Sequence, residues 1–206
     1  MNHDTLLLSS ASDLPFARPA SAAPRREPAP LARLCARIDG ALRGGADAPL
    51  TAAFARDLRA ALAEAAAAPA LLTPAQREGS ANTYRRHLLA ADPLGRYAVV
   101  SLVWQPGQWS PVHGHQTWCG YAVLEGTLSE SVYDWHDAAG CATEARRHPR
   151  ETGAVSYVRA GMTGIHRLGH GGAAADAPAV SLHVYGVPGE RIATHVNEIV
   201  EVRAGA

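Results

Sequence analysis

From Asn82 to the carboxyl end, short runs rich in β-branched, aromatic and apolar residues alternate with turns of Gly, Pro and Asp. Such punctuation suits an antiparallel barrel or sandwich. The expected strands are Thr83–Leu89, Arg96–Trp104, Ser110–His115, Cys119–Leu124, Thr127–Trp135, Cys141–His148, Ala154–Val158, Ile165–Leu168, Ala179–Tyr185 and Ala193–Val202. No internal repeat is visible. Upstream the pattern is helical. Leu31, Leu34, Cys35, Ile38 and Leu42 recur at helical spacing, and Gly44-Gly45 stops that run. Thr51 caps a second helix whose apolar stripe is Phe54, Leu58, Leu62 and Ala65, and a short turn starts at Thr73-Pro74. Cys35 lies on the apolar face of the first helix and reads as a core residue. Helices first and strands after predict an α+β fold: a small antiparallel β-barrel preceded by two or three helices.

At 206 residues the chain suits one domain with a substantial core. Residues 1–30, rich in Ala, Pro, Ser and Arg, read as a mobile leader. Residues 31–206 read as a single domain, with 31–80 as helical support and 82–206 as the barrel. A formal net charge of zero gives no electrostatic footprint for nucleic acid or an anionic membrane. No apolar run approaches the roughly 20 residues that span a bilayer. The amino terminus lacks the basic and apolar regions of a secretory signal. Cys35, Cys119 and Cys141 are an odd set at irregular spacing, which argues against a disulfide framework. The expectation is a cytoplasmic protein with reduced thiols, binding neither nucleic acid nor membrane. Nothing suggests an obligate interface, so a monomer is expected.

The chemistry gathers around His113-Gly114-His115. Successive side chains on a strand point to opposite faces, so the two imidazoles share one face, a partial metal site. Thr117 and Cys119 have the same parity and continue that face if the strand stays regular. An isolated His-x-His is commonly a solvent-facing pair on an edge strand, and the surrounding pattern decides. Farther on, Ser181, His183 and Tyr185 share one parity while Val180, Leu182 and Val184 share the other. One face is apolar and packs into the core. The other presents a hydroxyl, an imidazole and a phenol spaced to hydrogen-bond one another, an arrangement that a buried polar row requires.

The spacing Gly107-x5-His113-x-His115-x3-Cys119-x6-Gly126 resembles the first cupin motif, with Cys119 where most cupins place a glutamate ligand. The cysteine resembles the thiol dioxygenases, above all the cysteine dioxygenase family of bacterial type, and implies a cupin or jelly-roll barrel. The second cupin motif is irregular: Gly153 and Gly161 are in place, but Arg159 replaces its proline and His170 its asparagine. Gly164-Ile-His166-Arg-Leu resembles the segment carrying the third metal histidine in cysteine dioxygenases, which makes His166 the third ligand, with His170 a rival. Ser181-x-His183-x-Tyr185 matches the catalytic row of that family. Tyr84-Arg-Arg86 resembles its substrate segment, in which the arginine grips the substrate carboxylate and the tyrosine lies beside it. Arg85, one residue out of phase, would point away. Trp104 matches a pocket tryptophan. Gly114 departs from the family's usual aspartate and removes one partner that could orient the ligands.

The resemblance implies Fe(II) held by His113, His115 and His166, and oxidation of L-cysteine by O2 to cysteine sulfinic acid. Three neutral imidazoles leave a divalent ion its full charge, so the substrate thiolate is inferred to supply the missing anion. Many family members join the motif cysteine to the tyrosine by a thioether; here that pair is Cys119 and Tyr185. Two alternatives stay open: a dioxygenase for 3-mercaptopropionate or another small thiol, and a cupin that binds metal or ligand without catalysis.

Overall fold

The computed structural model describes residues 29–203. Apart from Ala29 and Pro30, the expected leader lies outside the described residues. Two helices come first, α1 (Pro30–Ala41) and α2 (Ala52–Ala66), followed by a 3-10 turn at Pro74–Arg77. Thr51 caps α2 by accepting the Phe54 N–H at 3.1 Å. After α1 the chain tightens into a 3-10 turn and is released at Gly45, whose φ of 85° suits glycine.

Ten strands follow: β1 (Arg85–Ala91), β2 (Ala98–Trp104), β3 (His113–His115), β4 (Cys119–Glu125), β5 (Thr127–His136), β6 (Cys141–Glu151), β7 (Val155–Val158), β8 (Gly161–Gly169), β9 (Ala179–Tyr185) and β10 (Asn197–Ile199). They form two five-stranded antiparallel sheets, ordered β1-β2-β9-β4-β7 and β10-β3-β8-β5-β6. The architecture is the expected α+β jelly roll. It is an open one: among the described residues no ladder joins β6 to β7, so the wall has a seam between those edges.

Each sheet of this sandwich sorts its residues by parity. On β9, Val180, Leu182 and Val184 face the helices and pack with Leu34, Ile38, Phe54, Leu58 and Leu62. That apolar layer fixes the first sheet against α1 and α2, and Cys35 is half-buried at its rim. The opposite face of β9 looks between the sheets. Arg96 ties the layers together at the edge, bonding to Asp92 in the β1–β2 turn and to Asp39 of α1. Gly126, at φ 72°, turns the chain from β4 into β5 and from one sheet to the other; a Cβ there would meet Ala179 at 3.2 Å.

Most strand ends differ from expectation by a residue or two, and β8 starts at Gly161 rather than Ile165. Three larger differences have a visible cause. Residues 110–112 do not pair as a strand, because Ser110 spends its Oγ on the Leu168 N–H and Pro111 has no N–H to give. Residues 193–196 are not strand either. His195 bonds back to the Arg191 carbonyl, and only Asn197–Ile199 pairs with β3. Strand β6 runs beyond the expected His148 through Pro149, which is tolerated on an outer strand.

Candidate active site

The two sheets enclose a cavity lined by Tyr84, Arg86, Trp104, Cys119, His183 and Tyr185 from one side and by His113, His115 and His166 from the other. Leu102, Ser110, Leu168 and Asn197 complete it. The histidines meet because β3 pairs with β8, placing His113 directly opposite His166, while a register shift before His115 brings the third ring in. Ring centroids lie 5.1, 4.8 and 5.0 Å apart, and one ligand atom from each residue falls within 4.8 Å of the others.

The nitrogens are already sorted. Nδ1 of His113 donates to the Pro111 carbonyl at 2.9 Å, and Nδ1 of His166 donates to Glu130 at 2.7 Å, so each ring keeps Nε2 free. Nδ1 of His115 is buried without a hydrogen-bond partner. Burial, reinforced by the neighbouring His166, holds the pKa of His113 at about 3 and that of His115 at about 2. Both are neutral at pH 7, as metal ligation requires. Converging imidazoles with free nitrogens and no mutual hydrogen bonds fit a metal ion. His170 lies elsewhere: it bonds the Ala177 carbonyl and the Gly172 N–H in the loop before β9.

Cys119 corrects one expectation. The face of His113 and His115 does not continue to Thr117 and Cys119, because the chain leaves β3 after His115 and crosses to the other sheet. Thr117 bonds the Gly186 carbonyl during that crossing, and Cys119 opens β4 on the opposite wall. There it is the direct register partner of Tyr185 on β9, and directly opposed residues share a face. Burial pushes both the thiol and the phenol well above their ordinary pKa values, so both are neutral.

A hydrogen-bonded row crosses the first sheet. Trp104 Nε1 donates to Ser181 Oγ at 2.9 Å, Ser181 Oγ meets His183 Nε2 at 2.9 Å, and His183 Nδ1 meets Tyr185 Oη at 3.2 Å. Burial lowers the His183 pKa far below its ordinary value, with the Arg86 charge adding to the effect, so the ring is neutral. Arg86 donates to Tyr84 Oη at 3.1 Å, and Tyr84 stacks on Trp104 with centroids 4.4 Å apart. The Arg86 Nε is buried with no hydrogen-bond partner.

The residue that sequence reasoning missed is Glu130. It is buried on β5 and touches His166, His148 and Arg150. Burial pushes its carboxyl up, but the His166 hydrogen bond and the Arg150 charge outweigh it, and the net shift is downward. The available signal was parity: Glu130 stands in phase with Leu128 and Val132, a carboxylate on an apolar face.

Residues 78–197 match the family model for cysteine dioxygenase type I. The chain belongs to that family. Cysteine dioxygenase type 1 of Rattus norvegicus is 31% identical over 97 residues, covering 46% of this chain and 46% of that protein. The Danio rerio protein of the same name is 29% identical over 111 residues, covering 51% and 52%. The chain thus matches about half the length of these curated cysteine dioxygenases. A double-stranded β-helix protein of Klebsiella pneumoniae superposes at a TM-score of 0.44 with 14% identity, over 57% of this chain and 84% of that one. Within the cysteine dioxygenase family match lie the three histidines, Glu130, Arg86 and the Ser181–Tyr185 row.

Proposed function

We propose that this protein is a non-haem iron thiol dioxygenase that converts L-cysteine and O2 into cysteine sulfinic acid. Both oxygen atoms pass to sulfur, so thiol plus O2 balances the sulfinic acid. The observation that carries the substrate is Arg86. A half-buried arginine whose Nε is buried without a hydrogen-bond partner, in the same cavity as three converging histidines, calls for an anion. A carboxylate supplies one and suits the planar fork of donors.

His113, His115 and His166 would hold the Fe(II), with Glu130 fixing the tautomer and direction of His166. When bound, the iron would supply a positive charge that favours thiolate over thiol, and the one-electron chemistry that lets O2 react with it. The chain's own residues do the rest. Arg86 anchors the carboxylate end of the substrate, and the Tyr84 ring braced on Trp104 keeps the guanidinium in place. The neutral Tyr185 phenol serves as the hydrogen-bond donor inside the cavity. If Ser181 donates to His183 Nε2, the ring proton sits on Nδ1 and donates to the Tyr185 oxygen. The phenolic proton then points at the substrate. Cys119, facing Tyr185 across the ladder, is the partner for a thioether to that ring.

The reading places all of this in one domain, residues 31–206, acting as a cytoplasmic monomer. Among the described residues no helix is long and apolar enough to cross a membrane. The deciding experiment is O2 uptake by Fe(II)-loaded protein offered L-cysteine, 3-mercaptopropionate and cysteamine, with sulfinate quantified. Preference for L-cysteine, lost in His166→Ala, supports the reading. Preference for 3-mercaptopropionate reassigns the substrate, and iron binding without any uptake means a non-catalytic cupin.

A further inference from the structure

The seam between β6 and β7 is more than a gap in the wall. It opens into a second cavity of ≈ 340 Å³ on the other side of Glu130 and His166 from the substrate pocket. That is within the roughly 300–1,000 Å³ of ordinary small-molecule sites. Arg146, His148 and Arg150 occupy alternate positions of β6, so they share one face. Their register partners are Val132, Glu130 and Leu128, and the burial of Glu130 and Leu128 shows that this face turns into the sandwich, with Arg146 itself still exposed.

Inward charges on an outer strand help to stop sheets from pairing edge to edge, which explains having cations there. It does not explain unpaired polar atoms. Tyr121 is 3% exposed, and its hydroxyl, beside Glu130 and Arg150, has no hydrogen bond of good geometry. Nδ1 of His148 is likewise buried and without a hydrogen-bond partner; Nε of Arg150 makes no hydrogen bond either, only an ion pair to Glu130 at 3.6 Å, and all three residues line this cavity. The only carboxylate among the lining residues is Glu130, already shared among His166, His148 and Arg150. Arg146, also in the lining, has no ion pair among the described residues.

We propose that this cavity is a second binding site, for a small oxyanion: a carboxylate, a sulfinate or a phosphate. The anion takes hydrogen bonds from Tyr121 and Arg150 and lies against the charge of Arg146, with the hydroxyls of Ser156 and Thr163 at the cavity wall. The site is independent of which thiol the other pocket accepts.

Calorimetric titration of the full-length protein with inorganic phosphate, acetate and methanesulfinate, each against sodium chloride at equal ionic strength, tests this. At least one oxyanion is expected to bind saturably, and the one preferred names the source. Arg146→Gln should weaken that binding about tenfold, the equivalent of ~1.4 kcal/mol, and Tyr121→Phe should weaken it as well. Arg86→Ala should leave it unchanged, because Arg86 lines only the substrate pocket. Binding lost in Arg86→Ala but kept in Arg146→Gln would assign the anion to the substrate pocket. Absence of saturable binding with all three anions would equally overturn the site.

Discussion

Nδ1 of His166 sits 2.7 Å from Oε1 of Glu130, and Glu130 is itself gripped by His148 and Arg150 from the neighbouring strand. A carboxylate in that position fixes which nitrogen His166 can offer and raises its strength as a donor. The family's usual aspartate between the two histidines is absent here. Gly114 takes its place, where a Cβ would press on Met162 at 2.8 Å and the Gly161 carbonyl at 3.1 Å. Glu130→Gln should therefore weaken Fe(II) or Co(II) affinity about 10–100-fold. Competition against a chelator measures it, and the Co(II) spectrum should shift. Unchanged affinity and spectrum would make Glu130 a packing residue only.

Arg86→Ala should lower kcat/KM for L-cysteine about 10–100-fold, from the loss of a charge-assisted contact worth ~1.5–3 kcal/mol. Turnover of cysteamine, which has no carboxylate, should fall far less. Parallel kinetics on the two thiols separate a lost anchor from a damaged fold; equal losses would remove Arg86 from carboxylate recognition.

Cys119 and Tyr185 face each other in register, at the start of β4 and the end of β9. Turnover with iron and O2 should join Sγ to the phenol ring, with the two hydrogens lost to O2. Intact mass should then drop by two hydrogens in the wild type and stay constant in Cys119→Ser. A wild-type mass that does not change after many turnovers would rule the cross-link out.

The Asp92–Arg96 pair should set part of the acid limit of stability. Hydrogen bonds from the Arg96 side chain, aided by backbone N–H groups, hold the Asp92 carboxyl at about 2. In the unfolded chain an aspartate titrates near ~3.9. Acid therefore protonates the unfolded state first. The stabilisation is complete above about pH 4 and fades as pH falls toward 2. Urea midpoints should show Asp92→Asn destabilised at pH 7 and its deficit shrinking at pH 3. A deficit that is constant with pH would mean the pair contributes through packing instead.

Much of this arrangement could be read from parity. The shared face of His113 and His115, the hydrogen-bonded row from Ser181 to Tyr185, and the apolar face of Val180, Leu182 and Val184 all follow from alternation along single strands. The helical stripes of Phe54, Leu58 and Leu62 were equally legible, because they depend on a local period. Boundaries went astray where a side chain or a proline displaced a ladder bond. Ser110 with Pro111 shortened β3, and the back-bonded turn at His195 shortened β10.

The sequence by itself determined which residues would share a face, since side-chain direction repeats every two residues on a strand. It did not determine which faces would meet. Parity sets Glu130 on an apolar face but names no partner for it until β5 is laid between β8 and β6, where it meets His166 on one side and His148 and Arg150 on the other. Cys119 reads as a continuation of the histidine face until the chain crosses between sheets and brings it in from the opposite wall. The tertiary structure decided both, because strand pairing joins residues far apart in sequence and local period carries no record of the partner.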